Sequence, residues 1–191
     1  METLLLSTGV VALAEMGDKT QLLAFILASR FKKPVPIILG ILVATIFNHG
    51  LAGALGSWLM TLTSPENLRW IMAACFIAMA VWIMIPDKMD DGGVDHENLR
   101  KLGVFGITLV TFFLAEMGDK TQIATVMLTV NYGVPFIVVM GTTIGMLIAD
   151  VPAVFVGDKL SEKIPVKWMR IISAALFAAI GVITAVSFNA G

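Results

Sequence analysis

One seven-residue segment, Glu-Met-Gly-Asp-Lys-Thr-Gln, occurs twice in this chain without a single change, at residues 15–21 and again at residues 116–122. Each copy places two carboxylates and one ammonium group inside a long apolar stretch. A charge at the centre of a bilayer costs about 2.5–3.5 kcal/mol on insertion scales, so charged residues persist there where they face a polar cavity and have partners. The duplicated segment therefore predicts a path for ions or protons. Two buried ion pairs that only hold helices together are the alternative.

The rest of the composition is that of a membrane protein. Of the 191 residues, 58% are hydrophobic and 14% are charged, whereas a soluble domain carries about 25% charged residues. The net charge of −1 and the lack of a basic run argue against a nucleic acid as partner. We therefore expect an all-α integral membrane protein whose outer surface contacts lipid.

Six apolar stretches are long enough to cross a bilayer, which takes about 20 residues in a helix. They are separated by charged residues, prolines and an Asn-Tyr-Gly turn sequence. The stretches with the two motifs are long enough to include a non-helical break. The sequence thus predicts six transmembrane helices, at approximately 4–29, 35–60, 68–86, 103–130, 135–157 and 167–188.

The two halves of the chain are related by an internal duplication with a constant shift of 101 residues, and no gap is needed across three predicted spans. Because three is odd, the second copy should cross the membrane in the opposite direction, which makes an inverted repeat. We predict a first three-helix repeat at 1–86, an acidic cytoplasmic linker at 87–101 and a second repeat at 102–191. The linker is interpreted as a solvated connector, with metal sensing as the alternative. Matches outside the motif include Pro34 with Pro135, Gly40 with Gly141, Arg69 with Arg170, and Phe76 with Phe177.

The distribution of lysine and arginine predicts the orientation in the membrane. If the N-terminus lies outside, ten of the 13 basic residues fall in the inner segments, and Arg69 alone lies outside. The positive-inside rule then places both termini outside the cytoplasm. The ten are Arg30, Lys32, Lys33, Lys88, Arg100, Lys101, Lys159, Lys163, Lys167 and Arg170.

Within each motif, the residue spacing predicts a polar site interrupted by glycine. On a continuous helix Glu15 and Asp18 would share a face, and Lys19 could pair with Glu15. Gly17 and Gly118 give the backbone freedom to break the helix and expose carbonyl groups. Because the repeats are inverted, the two motifs should meet near the bilayer midplane. The predicted oxygen donors are Glu15, Asp18, Thr20, Gln21, Glu116, Asp119, Thr121 and Gln122.

Such a site favours a divalent cation. Oxygen ligands suit Ca²⁺, Mn²⁺ or Mg²⁺ and argue against copper. Four carboxylates with Lys19 and Lys120 sum to a charge of −2. Without metal, mutual repulsion in a low dielectric favours protonation, so exchange of the cation for H⁺ is the expected mechanism; the lysines as internal counter-ions are an alternative. The thioethers of Met16 and Met117 would favour Mn²⁺, but their place in the motif favours packing.

Three further polar residues lie deep in apolar sequence. Asp150 occupies the position equivalent to His49 in the second half. We predict a role for Asp150 in ion or proton passage. For Asn48 a ligand role and an interhelical hydrogen bond remain open. A packing role is favoured for His49, with proton relay as the alternative.

The doubled Glu-x-Gly-Asp-Lys-Thr motif, the three-plus-three inverted repeat and the small size resemble the UPF0016 family, also called the Gdt1 family, over essentially all 191 residues. Its members are cation transporters, and the chain is most similar to bacterial members described as manganese exporters. The resemblance implies a multi-pass protein of the bacterial cytoplasmic (inner) membrane. It also implies that Glu15, Asp18, Thr20, Glu116, Asp119 and Thr121 match the family's cation-binding positions. Since eukaryotic members are associated with Golgi exchange of Ca²⁺, Mn²⁺ and H⁺, the metal stays open.

The residues and the resemblance together predict a secondary exporter that moves Mn²⁺ out of the cytoplasm in exchange for H⁺. A Ca²⁺/H⁺ antiporter is the nearest alternative, and a passive cation channel is another. The sequence has no Gly-x-x-x-x-Gly-Lys-[Ser/Thr] loop, so ATP is not expected to drive transport directly. We expect no enzymatic activity and no cofactor besides the transported cation. An intramembrane aspartyl protease is disfavoured because Glu15 and Glu116 stand where such motifs carry glycine.

Overall fold

The computed structural model describes residues 1–62, 64–84, 102–156 and 166–186, and all regular structure in these ranges is helical. The all-helical class predicted from the sequence is therefore confirmed. The predicted linker at 87–101 lies outside the described residues. The eight described helices are α1 Glu2–Glu15, α2 Lys19–Phe31, α3 Pro34–Leu62, α4 Pro65–Ile83, α5 Gly103–Glu116, α6 Lys120–Tyr132, α7 Pro135–Val156 and α8 Val166–Val186.

Three described helices are long and apolar enough to cross a membrane by themselves, namely Pro34–Leu62, Glu66–Ile83 and Pro135–Phe155. Shorter apolar helices cover Gly103–Glu116 and Ala174–Val186. The chain therefore has the helices of a membrane protein. The count of six spans and the orientation of the termini stay predictions.

The first and fourth predicted spans each consist of two helices in series. α1 and α5 have 14 residues, and α2 and α6 have 13. At about 1.5 Å per residue, neither member alone covers the roughly 30 Å of a hydrocarbon core, whereas two in line reach about 40 Å. Each break falls inside one of the duplicated motifs, at residues 16–18 and 117–119.

The long helices α3 and α7 pack together in opposite directions. Ile37 near the start of α3 lies in one buried cluster with Ala153 near the end of α7. Further along α3, a Cβ on Gly53 would lie 2.6 Å from Val139 Cγ2, near the start of α7. The two halves of the chain are therefore antiparallel at the centre of the bundle.

Equivalent helices make equivalent contacts across the two halves. α3 packs against α5, and its counterpart α7 packs against α1. Gly40 approaches Thr108 in the first contact, and Gly141 approaches Ser7 in the second, which is the same pair of positions shifted by one repeat. α4 packs against α8, where the equivalent rings of Phe76 and Phe177 lie 6.2 Å apart. The contacts thus follow an approximate two-fold relation.

Two buried clusters depart from this symmetry. One joins α4 and α8 to α1, α6 and the start of α7. The other joins α2, α3, α5 and α7, and its described residues include none from α4 or α8. The α4–α8 pair therefore lies against α1 and α6, and not in the equivalent way against α5 and α2.

The α1–α7 contact depends on a glycine, and we expect Gly145→Ala to destabilise the protein. A Cβ on Gly145 would lie 2.5 Å from Thr8 O and 3.0 Å from Ala12 N, which are backbone atoms that move only with α1. Overpacking of this kind costs about 1–3 kcal/mol of unfolding free energy. Denaturation in detergent micelles measures the loss. Gly50→Ala is the matched control, because nothing lies within 4 Å of its added Cβ, and it should be neutral or stabilising.

Candidate cation site

The site forms where the two motifs interrupt their helices. α1 ends at Glu15, Met16 is extended, and Gly17 has a φ of +82° before α2 begins at Lys19. Gly118 has a φ of +72° at the equivalent point between α5 and α6. Positive φ is a conformation that glycine adopts without the steric cost of a Cβ. The local sequence therefore explains why both helices stop here.

The glutamine of each motif holds the break in place. Gln21 Oε1 accepts a hydrogen bond from Gly17 N at 3.0 Å, and Gln122 Oε1 accepts one from Gly118 N at 2.7 Å. This side chain at the third position of the new helix reaches back to a backbone N–H, as in a capping box. The amide oxygens predicted as neutral ligands are thus engaged with the backbone.

The broken ends bring helix termini of both signs to one place. The C-terminal ends of α1 and α5 carry partial negative charge, and the N-terminal ends of α2 and α6 carry partial positive charge. Asp18 and Asp119 stand at the N-cap positions of α2 and α6, where their carboxylates gain from the positive end of the dipole.

Carboxylates from both motifs meet in the interior. Glu15, Asp18, Glu116 and Asp119 are all buried, with at most 8% of the residue exposed. One oxygen each from Glu15, Asp18 and Asp119 lies within 4.8 Å of the other two. A divalent cation is a natural partner for oxygens at this spacing, because hard cations bind several carboxylates at once.

The lysines pair across the two halves. Lys19 Nζ lies 2.8 Å from Asp119 Oδ1, and Lys120 Nζ lies 3.1 Å from Asp18 Oδ1. The predicted pair between Lys19 and Glu15 is wrong, because the break at Gly17 removes the helical spacing that would have placed them on one face. The cross-pairing ties each half to the other at the site itself.

The threonines bind the glutamates of their own motif. Thr20 Oγ1 donates a hydrogen bond to Glu15 Oε2, and Thr121 Oγ1 donates one to Glu116 Oε2 at 2.9 Å. Within the described residues, Glu116 Oε1 and Asp119 Oδ2 have no hydrogen-bond partner. The threonines therefore orient carboxylates, and carboxylate oxygens remain for a cation.

The other predicted residues divide between the interior and the surface. Asn48 Nδ2 donates to Phe113 O at 3.0 Å, so the interhelical hydrogen bond predicted as one of its alternatives is present. His49 and Asp150 are fully buried. Met117 is 58% exposed, which places most of its surface outside the cluster.

The reciprocal lysine–aspartate pairing was not anticipated from the sequence, although the duplication carries the signal. A two-fold relation between the halves maps Lys19 with Asp119 onto Lys120 with Asp18. A contact between the motifs is therefore expected to occur twice with the halves exchanged. The constant shift of 101 residues thus predicts that one lysine–aspartate pair between the motifs has a counterpart, but pairing within each motif would satisfy it equally.

Comparison with known proteins shows the family of the chain. A family model described as "Divalent cation/proton antiporter GDT1" matches residues 3–91 and 104–190. The chain belongs to the GDT1 family. The resemblance found in the duplicated motif is thereby confirmed, and the family's described activity is transport and not an enzymatic reaction.

GDT1 relatives cover nearly the whole chain. A Vibrio cholerae protein named "putative manganese exporter" is 45% identical over 186 residues, which are 97% of this chain and 91% of the relative. GDT1-like protein sll0615 of Synechocystis sp. is 28% identical over 81% of this chain and 84% of its own length. GDT1-like protein 4 of Arabidopsis thaliana is 25% identical over 92% of each chain. No solved structure gives a significant match.

Proposed function

We propose that the protein is a secondary exporter that moves Mn²⁺ out of the bacterial cytoplasm in exchange for H⁺. The observation that carries the proposal is the buried meeting of carboxylates from two helix breaks, with one oxygen each from Glu15, Asp18 and Asp119 within 4.8 Å of one another. Charged residues in a membrane interior are costly to bury, and they are typical of ion pathways. Membership of a divalent cation/proton antiporter family and the name of the Vibrio cholerae relative support the same function.

The cation would bind where the two motifs meet. We assign Glu15, Asp18, Glu116 and Asp119 as its carboxylate ligands, with Thr20 and Thr121 holding the glutamates and contributing hydroxyl oxygens. Together with the two lysines the site carries a charge of −2, which one divalent cation neutralises. Protons that bind the carboxylates after the metal leaves would restore neutrality for the return step.

Six membrane crossings in two inverted repeats fit this function. The antiparallel packing of α3 and α7 supports the inversion, and each broken helix pair is long enough to count as one crossing. The basic segment after α2, with Arg30, Lys32 and Lys33, favours a cytoplasmic location for that turn and an outside location for both termini. Alternating access would come from movement of the two halves about the shared site.

Transport into inverted membrane vesicles tests the proposal. The vesicle interior is made acidic, and accumulation of Mn²⁺, Ca²⁺ and Mg²⁺ is compared while the pH gradient is followed with a fluorescent dye. We expect Mn²⁺ to accumulate and to dissipate the gradient, since each cation entering the vesicle is exchanged for protons. Vesicles from cells without the protein are the control.

Three other outcomes would change the proposal. Preference for Ca²⁺ would keep the site and replace the substrate. If Mn²⁺ moves independently of the pH gradient and the rate does not saturate with Mn²⁺ concentration, a passive channel would be favoured. No movement of any of the three cations would overturn the proposed function.

A further inference from the structure

Outside the two motifs, the equivalent positions 49 and 150 hold different ionisable side chains in the interior of the bundle. His49 on α3 and Asp150 on α7 are both fully buried, at 0% exposure. Within the described residues, neither nitrogen of His49 and neither carboxylate oxygen of Asp150 has a hydrogen-bond partner. Buried polar groups in native proteins are nearly always hydrogen-bonded, so each exception calls for an explanation, and an ionisable residue in a membrane points to function.

Asp150 is tied to the first helix break through its neighbour. Gln21 Nε2 donates a hydrogen bond to Ala149 O at 2.8 Å, while the oxygen of the same side chain accepts from Gly17 N. One glutamine therefore connects the broken turn of the first motif to the turn of α7 that carries Asp150. A movement of that break would be transmitted to Asp150.

The carboxylate of Asp150 also contributes to the electrostatics of the motif carboxylates. It is near enough to interact electrostatically with Glu15, Asp18 and Glu116. The two motif lysines are already paired with Asp119 and Asp18 in salt bridges. Within the described residues no ion pair is formed by Asp150. When Asp150 is ionised, its charge adds to the negative potential of the site, where a cation would experience it.

The equivalent position in the first half is built differently. His49 adds no negative charge. Its neighbour Asn48, which is equivalent to Ala149, donates a side-chain hydrogen bond to Phe113 O, and alanine has no such donor. Among the described contacts there is no hydrogen bond from Gln122 to Asn48 that would match the bond from Gln21 to Ala149. The motif glutamates, aspartates, lysines and threonines are duplicated, so this pair of positions makes the two sides of the site unequal.

We propose that Asp150 is a fifth carboxylate of the cation pathway, and that its difference from His49 makes cation affinity unequal in the two access states. This inference rests on the proposed function. In an inverted-repeat transporter the two states exchange the conformations of the halves. The surroundings that Asp150 has in one state are then taken by His49 in the other. The motif ligands survive this exchange unchanged, whereas the fifth carboxylate is replaced by an imidazole.

Asp150→Asn tests the first part, because asparagine has nearly the same shape without the charge. We expect the KM for Mn²⁺ to rise about 10- to 100-fold, the range seen when residues around a metal site are lost. The rise should occur from one side of the membrane only, measured by comparing inverted with right-side-out vesicles. Titration of the purified protein with Mn²⁺ in detergent gives a second readout that does not depend on transport. Glu66→Gln, an exposed carboxylate on α4, is the control.

The double exchange His49→Asp with Asp150→His tests the second part. It keeps one aspartate and one histidine in the bundle but interchanges the halves that carry them. We expect the side with the lower KM to become the side with the higher KM. Asp150→Glu, which restores the charge, should recover most of the affinity lost in Asp150→Asn and so separate charge from packing.

The outcomes separate this inference from the function on which it rests. If the wild-type protein moves no cation, the proposed function is overturned. If the wild type transports Mn²⁺ and Asp150→Asn leaves KM and binding unchanged from both sides, Asp150 has no part in the pathway. If Asp150→Asn raises KM equally from both sides, Asp150 binds the cation but the inequality of the two states is overturned.

Discussion

Replacing Glu15 by glutamine should lower proton-driven Mn²⁺ accumulation by about 30-fold or more, while the protein still reaches the membrane. The glutamine can still accept the hydrogen bond from Thr20, so the broken turn keeps its geometry. What is lost is the charge of one of the four motif carboxylates around a divalent cation. Removing one member of a buried, hydrogen-bonded charge pair costs about 2–5 kcal/mol, which corresponds to roughly 30- to 4,000-fold. Uptake into inverted vesicles at equal protein levels measures the effect.

The chain offers a matched control for this change. Glu66 is exposed in the first turn of α4, so Glu66→Gln makes the same chemical substitution away from the cluster. It should leave transport within a factor of about two, since exposed charges contribute little. Asp119→Asn should behave like Glu15→Gln, because it removes the carboxylate that pairs with Lys19. Normal Mn²⁺ accumulation by Glu15→Gln and Asp119→Asn would contradict the assignment of the site.

The helix break illustrates what sequence reasoning can establish. Glycine lowers the stability of a helix, so a glycine between a glutamate and an aspartate inside an apolar stretch predicts a helix break. Gly17 and Gly118 adopt positive φ at that place in the structure. What the motif does not specify is how its side chains pair once the helix stops. The pairing of Lys19 with Glu15 assumed helical spacing, which the break removes.

Contacts between the halves were less accessible to sequence reasoning than the elements themselves. Apolar length and proline positions predicted α3 well, at 35–60 against the observed Pro34–Leu62. In contrast, nearly all residues of a membrane helix are apolar, so the pattern does not tell lipid-facing from buried positions. Ile26 is 40% exposed and its equivalent Met127 only 1%, although both are large apolar residues in equivalent helices. The difference comes from where the α4–α8 pair lies.

Among the described residues, the α4–α8 pair covers α6 and leaves α2 uncovered, which leads to a prediction about the other access state. Met127 on α6 is covered within the cluster that includes Met79 on α4. Exchange of the halves turns this pair into Ile26 on α2 and Ile180 on α8. In the state related by exchange, α8 should therefore lie against α2 and bury the side chain of Ile26.

We expect a variant with Ile26→Cys and Ile180→Cys to be joined, during turnover with Mn²⁺ and a pH gradient present, by a flexible bifunctional thiol reagent that can span the buried cluster. Joining the two helices should hold the protein in one state and abolish transport, because the cation site could then no longer open to the opposite side of the membrane. Reducing a cleavable reagent should restore it. The natural Cys75 lies on α4 in the same region, so Cys75→Ala provides the background.

The matched pair Met79→Cys with Met127→Cys separates alternating access from a fixed fold. It should be cross-linked in the resting protein. When turnover populates the exchanged state, the cross-linked fraction of this pair should fall and that of the pair at positions 26 and 180 should rise. If Ile26 faces only lipid throughout the cycle, its pair stays unjoined under every condition and movement of the α4–α8 pair is excluded. If the product migrates as a cross-linked dimer on a denaturing gel, Ile26 faces a second copy of the chain. An intramolecular product that appears with turnover and blocks transport would leave exchange of the two halves as the mechanism, with the cation site between them.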